Sequence, residues 1–328
     1  MRWESAPPEV WSILACSMCG ATPLLREKGG IKCPNCSTLF DIAHDGCVPI
    51  LAASVYSAAQ TQTLRTGRNQ GKIRARALNN LLQVFDTLVR APLRSFFLKD
   101  SQCWEQELDF ARSVEQSVLL GLMEKQGIRR ARILMELGVG GLDHSLLYSQ
   151  LSEYVVCSDI YIDSRSVSRY VENERVLYCV MNGDSIPIAE STVDIVITSH
   201  VLEHLPFRER SLDQMWDILK PGGLACHVVP TIGFHLTRHL VGFILNRLTF
   251  TARLFDVIHG EYDSRTEELA GNTTSAWKRL FEKHGFSVCG DAPGVFQVYP
   301  FRPEITNLLS HYLPLSASHV FVTQKGIN

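Results

Sequence analysis

Long hydrophobic runs are missing from this chain. The nearest approach to one, Leu240 to Phe255, is broken by Asn246, Arg247 and Arg253. A membrane helix needs roughly 20 consecutive apolar residues, so no spanning segment is expected. Residues 1–30 also lack a basic start followed by an apolar stretch and a small-residue cleavage site, because Glu4, Arg26, Glu27 and Lys28 interrupt it. The chain is therefore expected to stay in the cytoplasm. An excess of either charge is absent as well, with 32 Lys and Arg against 34 Asp and Glu. Without an overall field to draw in a polyanion, nucleic-acid binding would have to rest on a local patch. Internal repeats and low-complexity tracts are also absent. What remains is ordinary globular material, and 328 residues suffice for one large α/β core plus a smaller module.

Ten cysteines would suggest disulfides in a short secreted chain, but four of them form two tight pairs and the other six are scattered, which fits reduced thiols and one metal site. The pairs are Cys16-Ser-Met-Cys19 and Cys33-Pro-Asn-Cys36, separated by 13 residues. A CxxC turn aims two thiolates at one point, and two such turns on neighbouring hairpins complete a tetrahedron around zinc. The competing readings are four buried unligated cysteines or a redox pair, but neither pair lies at a strand-to-helix junction as thioredoxin-like motifs do. With all four positions filled by protein, the zinc would be structural. Cys47 is read as a spectator.

The chain divides into a ribbon at 1–55, a helical connector at 56–127 and an α/β domain at 128–328. In the connector glycine and proline become rare after residue 60, and Leu78, Leu81, Leu82, Phe85, Leu88 and Val89 recur at helical spacing. It is also locally basic, from Arg65, Arg68, Lys72, Arg74 and Arg76 to Arg90, Arg94 and Lys99. Beyond it, short β-rich runs alternate with helical ones, the mark of a parallel sheet covered on both faces. Seven strands are predicted: Arg132–Leu137, Tyr154–Ser158, Val176–Val180, Val193–Thr198, Leu224–Val229, Phe286–Gly290 and His319–Gln324. An insertion at about 231–274 separates the fifth from the sixth and far exceeds an ordinary connection. The architecture expected is a doubly wound, Rossmann-like seven-stranded sheet preceded by a small zinc ribbon.

The strand Ala131 to Leu137 runs directly into Gly138-Val-Gly-Gly-Leu-Asp143, the kind of glycine turn at which an α/β sheet binds nucleotides. Gly138 and Gly140 permit a tight turn and close approach of a ligand, but Asp143 stands where a dinucleotide fold wants its third glycine. Glu136 discriminates further: a carboxylate just before the loop repels a pyrophosphate and accepts a ligand bearing an ammonium and a sulfonium. Asp159, 21 positions after Gly138, can accept hydrogen bonds from both hydroxyls of a ribose. Its plainer reading is a carboxylate capping the next helix.

Glu136 to Gly141, Asp159, the run Asn182-Gly-Asp-Ser-Ile-Pro to Ser199-His-Val-Leu-Glu-His-Leu205 and Leu219-Lys-Pro-Gly-Gly-Leu224 follow one another in the order seen in class I S-adenosylmethionine-dependent methyltransferases, and resemble their quinone- and sugar-methylating branch. The match covers about residues 130–230, with support from Trp277 to Phe286. The resemblance implies that Glu136, Gly138 and Gly140 flank the methionine part of the donor, Asp159 its ribose, and Asp184 with Ser185 its adenine edge, while Ser199 and His200 line it beyond the fourth strand. The segment Cys16 to Leu51 resembles the zinc ribbons at the front of some ribosomal RNA guanine methyltransferases and in small methyltransferase activator proteins.

Methyl transfer is a displacement at an activated carbon, so positioning supplies much of the rate. A base is needed only where the acceptor is a hydroxyl or a protonated amine, and histidine is the usual choice near neutral pH. The candidates are His204, in the helix after the fourth strand, and His235, His239 and His259 in the insertion. His259 leads, with Glu261 placed to orient its imidazole. The blander reading of each is a structural histidine. Three functions stay open: methylation of a small sugar, lipid-linked or secondary-metabolite acceptor, favoured by the long insertion; methylation of RNA gripped by the ribbon and the basic connector; and a non-catalytic scaffold. Phe234 to Phe255, with three arginines and no acid, could also rest on a membrane surface.

Overall fold

A computed structural model describes residues 6–27, 30–43, 48–49, 51, 101–128, 130–140, 145–160, 173–235, 262–295 and 316–327, of which 43, 48, 101–109 and 265 are described by their backbone alone. The basic run from Arg65 to Lys99, Cys47, His239, His259 and Glu261 lie outside these residues.

The front of the chain is a set of short antiparallel ribbons. After the turn of helix α1 (Pro8–Trp11), strands β1 (Leu25–Glu27), β2 (Gly30–Lys32) and β3 (Leu39–Phe40) form one sheet, and β4 (Ile42–Ala43) pairs with β5 (Val48–Pro49). The two cysteine knuckles close in the same way. The Gly20 N–H donates to the Cys16 carbonyl at 2.8 Å and the Ser37 N–H to the Cys33 carbonyl at 3.1 Å, with both closing residues at positive φ.

The main sheet holds β6 (Ala131–Leu137), β7 (Ser152–Asp159), β8 (Val176–Val180), β9 (Val193–Ser199), β10 (Leu219–Pro230), β11 (Ser287–Pro293) and β12 (Ser318–Gln324) in the order β11-β12-β10-β9-β6-β7-β8. β12 runs antiparallel to both its neighbours and the other pairings are parallel. All seven strands expected from sequence are present, with some boundaries moved: the fifth starts at Leu219, and the sixth spans Ser287–Pro293. β6 to β9 are buried almost throughout, as near-continuous apolar strands covered on both faces should be. Asp194 ties the lower edge together. Its carboxylate accepts the N–H groups of Arg132 and Ile133 at 3.0 and 2.8 Å and meets Lys220 Nζ at 2.6 Å, which fixes β6, β9 and β10 in register.

The covering elements are helix α2 (Ser101–Lys125), the single turn α3 (Ser145–Tyr148), α4 (Arg208–Ile218), α5 (Arg265–Gly271) and α6 (Thr274–Lys283). One apolar cluster joins Leu119, Leu122 and Met123 of α2 to Leu134, Val155, Ile197 and Val322. The stretch read as a connector therefore ends in a helix that forms a layer of the α/β domain. The other cluster joins Met135, Val156, Val196 and Ala225 to Trp277 and Phe281 of α6, and runs on without a break into Leu14, Leu24, Ile31 and Leu51 of the ribbon. Backbone bonds seal that contact: Ala15 N–H to the Pro187 carbonyl (2.9 Å), Ala189 N–H to Ile13 (2.7 Å) and Leu51 N–H to Val180 (2.9 Å). The ribbon is thus packed as part of the core. Among the described residues no helix is long and apolar enough to cross a membrane.

Candidate functional site

β6 lies between β7 and β9, where the winding of the sheet reverses, and such a crevice at the strand ends is where open α/β sheets bind ligands. Here the apolar strand ends on Glu136 and Leu137 and turns at Gly138 (φ +72°) and Gly140 (φ +57°). A side chain at Gly138 would strike Val201, since a Cβ would lie 2.4 Å from its Cγ2, so the turn can sit this close to the loop after β9 only with glycine. The N–H groups of Gly138 and Val139 donate to the Ser158 carbonyl at 2.7 and 3.2 Å. The Asp159 carboxylate accepts the N–H of Gly140 at 2.8 Å and that of Ile160 at 2.7 Å, and so binds the end of β7 to the turn.

Glu136 is 4% exposed and accepts the Ser145 hydroxyl. Burial pushes its carboxyl up to about 7, against the pull of the Ser145 bond and the positive charge of Arg112. A buried carboxylate with so little compensation favours any cation brought to it. Asp184 and Ser185 stand half-buried in a turn closed by Ser185 N–H to the Asn182 carbonyl (3.1 Å), and Gln214 of α4 braces it by donating to the Asp184 carbonyl (3.0 Å) and accepting the Ile186 N–H.

At the end of β9 the site becomes charged. Ser199 accepts a hydrogen bond from Arg112 Nη1 at 2.7 Å. His200, at φ +54°, places Nε2 3.0 and 3.2 Å from the two Glu115 oxygens and Nδ1 3.6 Å from Glu203 Oε1. Burial alone would lower the His200 pKa, but the charge of Glu115 outweighs it and raises it. Glu115 and Glu203 shift the other way for the same reason. Burial opposes their ionisation, His200 overrides it, and Glu203 falls to about 2. His200 thus stands between two carboxylates, Glu115 and Glu203, whose charge favours its protonated form. His204, expected in a helix, lies instead in a single 3₁₀ turn (Leu202–His204) ahead of α4; its side chain is 40% exposed, with Nε2 3.8 Å from Glu203. His235 is fully buried, its Nδ1 3.0 Å from Glu268 of α5.

The structure thus gathers Glu136, Gly138, Gly140, Asp159, Ser199 and His200 around the strand ends, with the Asp184–Ser185 turn following β8. It adds four residues that the sequence reading passed over: Arg112, Glu115, Ser145 and Glu203. A signal for two of them was available. Arg112 and Glu115 share one helical face with Leu119 and Leu122, and charged groups on a stripe that buries apolar ones call for partners.

In the ribbon, the sulfurs of Cys16, Cys19, Cys33 and Cys36 all lie within 4.8 Å of one another, with Cys16–Cys36 and Cys19–Cys33 at 3.5 Å. The N–H groups of Met18 and Cys36 point at the Cys16 and Cys33 sulfurs, both at 3.4 Å. Thr38 Oγ1 lies 3.0 Å from the Cys36 sulfur and pulls that thiol down to about 6, whereas burial holds Cys16 up to about 12.

Residues 135–227, which hold the glycine turn, the strand ends and the charged loop, match the family model of a methyltransferase domain. An uncharacterized methyltransferase of Mycobacteroides abscessus is 37% identical over 57 residues, which is 17% of this chain and 22% of that protein. The ubiquinone/menaquinone biosynthesis C-methyltransferase UbiE of Haemophilus ducreyi is 30% identical over 105 residues, 30% of this chain and 40% of that protein. The chain thus spans less than half the length of either curated relative. Among solved structures, the Haloferax volcanii complex that contains the Trm112 methyltransferase activator superposes with a TM-score of 0.48 at 12% identity, over 78% of this chain and all of that one.

Proposed function

We propose that this chain is an S-adenosylmethionine-dependent methyltransferase, working in the cytoplasm on a small-molecule acceptor such as a sugar, a lipid-linked compound or a secondary metabolite. The observation that carries the reading is the buried Glu136 carboxylate immediately before a glycine turn at the switch point. A phosphate-bearing nucleotide would set negative charge against it, whereas the methionyl end of this donor brings an ammonium. The rest of the crevice fits the same ligand. Asp159 suits ribose hydroxyls, the Asp184–Ser185 turn the adenine edge, and the tight Gly138–Gly140 turn a closely approaching main chain. When bound, the donor supplies a methyl group already activated by its sulfonium, so the protein's task is alignment of the acceptor.

For a hydroxyl acceptor, His259 oriented by Glu261, or the exposed His204, takes the proton. His200 does not serve as that base, because both its ring nitrogens face carboxylates. The four cysteines suit zinc. Thiolates at about 2.3 Å from the ion stand about 3.8 Å apart in a tetrahedron, in keeping with the spacing seen, and four protein ligands leave no position for water or substrate.

Incubation of the purified chain with methyl-labelled donor and cell extracts, followed by mass spectrometry, should show label in a small acceptor. Label in RNA, with binding that weakens as salt rises, would favour RNA methylation instead. Calorimetry showing no donor binding would remove the enzyme reading altogether. Metal analysis should return one zinc per chain, lost when Cys33 is replaced by serine.

A further inference from the structure

The amino-acid end of the proposed donor carries a carboxylate beside its ammonium, and Glu136 answers only the ammonium. A site for that end needs a cation close to Glu136 that has hydrogen bonds to give. Among the described residues, Arg112 is the cation whose charge reaches the Glu136 carboxyl. It reaches the site from α2, which lies against the sheet, and its side chain is 17% exposed. Its Nη1 donates to Ser199 Oγ at 2.7 Å, at the end of the strand that pairs with β6, so the guanidinium stands over the crevice that holds Glu136 and Gly138.

Arg112 is under-used where it stands. A guanidinium offers five N–H groups in a planar fork. One meets the Ser199 hydroxyl, Glu115 is a loose 3.6 Å away, and the buried Nε has no acceptor. Nor does Glu115 depend on Arg112, since His200 Nε2 already sits 3.0 and 3.2 Å from its two oxygens. An incoming carboxylate would supply the missing acceptor, and the fork of an arginine matches a carboxylate with two parallel bonds.

We infer that Arg112 receives the carboxylate of the donor's methionyl group, so that Glu136 and Arg112 together read the two charges of one amino-acid end. This rests on the donor reading above, and the test separates the two. Calorimetry is run on the full chain with S-adenosylmethionine and with its decarboxylated analogue, which keeps the ammonium, the sulfonium and the adenosine. The wild type should prefer the intact donor. Arg112→Met should weaken the intact donor by about 10- to 100-fold, the usual worth of a lost charge-assisted bond, and leave the analogue nearly unchanged. Arg112→Lys should fall between, because it keeps the charge without the fork. Equal losses of both ligands in Arg112→Met would mean that the side chain only holds the site together, and would overturn the assignment. So would a wild type indifferent to the missing carboxylate. A wild type that binds neither ligand would sink the donor reading itself and this assignment with it.

Discussion

Two histidines stand almost side by side where β9 and β10 end, one under α6 and the other under α2. His227 is fully buried, shares a 2.8 Å hydrogen bond with Thr198 and stacks on Phe281 with ring centroids 4.6 Å apart. With no carboxylate in reach among the described residues, burial drives it down to about 3, which favours a neutral ring in an apolar layer. His200 bonds through its N–H to the carbonyl of Val228, the residue after His227, yet its side chain faces Glu115 and Glu203 and is shifted up. Burial acts on both, and the neighbours decide the sign. Both faces carry an apolar cluster, but the one shared with the ribbon holds His227 in an apolar layer, whereas the face under α2 also keeps charged groups beside the strand ends.

That division can be broken from either side. The largest effect is expected on the face shared with the ribbon. Phe281→Ala removes a fully buried ring from the cluster that joins sheet, α6 and ribbon, and should cost about 3–5 kcal/mol in urea unfolding while donor affinity in the folded protein stays the same. A matching loss of donor affinity would show that the faces are not separable.

A smaller, pH-dependent effect is expected under α2. A histidine with a raised folded pKa stabilises fully below its unfolded value, near 6.5, and that contribution is lost as pH rises through the folded pKa. His200→Gln should therefore lower stability by about 1–3 kcal/mol at pH 6, with the deficit shrinking in alkali. His227 has the opposite sign: its depressed pKa costs stability as pH falls from 6.5 toward 3. Urea midpoints measured across pH 5 to 9 check this, and a deficit for His200→Gln that does not change with pH contradicts a protonated His200.

Much of this was legible in the chain itself. The strands of the sheet are apolar runs too short to be helices, and the two CxxC turns, Glu136 and Asp159 announce themselves by position relative to those strands. What stayed hidden was non-local. The partner of His200 is Glu115, 85 positions earlier, in a helix whose pattern reads as a connector until its polar stripe is set against the sheet. The ribbon's place is equally unreadable, because the contact of 13–15 with 187–189 rests on backbone hydrogen bonds that leave no pattern in side chains. His204 misled for a local reason: Pro206 and the short 3₁₀ turn delay the start of α4 to Arg208, two positions after that proline.

The most direct measurement is the affinity of the wild type and of Glu136→Gln for S-adenosylmethionine, followed by calorimetry from pH 5 to 9. With the Glu136 carboxyl pushed up to about 7, wild-type affinity should be level above that pH and weaken by about tenfold per unit below it. The variant should bind weakly with no such bend. Undiminished binding by Glu136→Gln, or tight binding of a nicotinamide dinucleotide in place of the methyl donor, would contradict a crevice shaped around a buried carboxylate awaiting a cation.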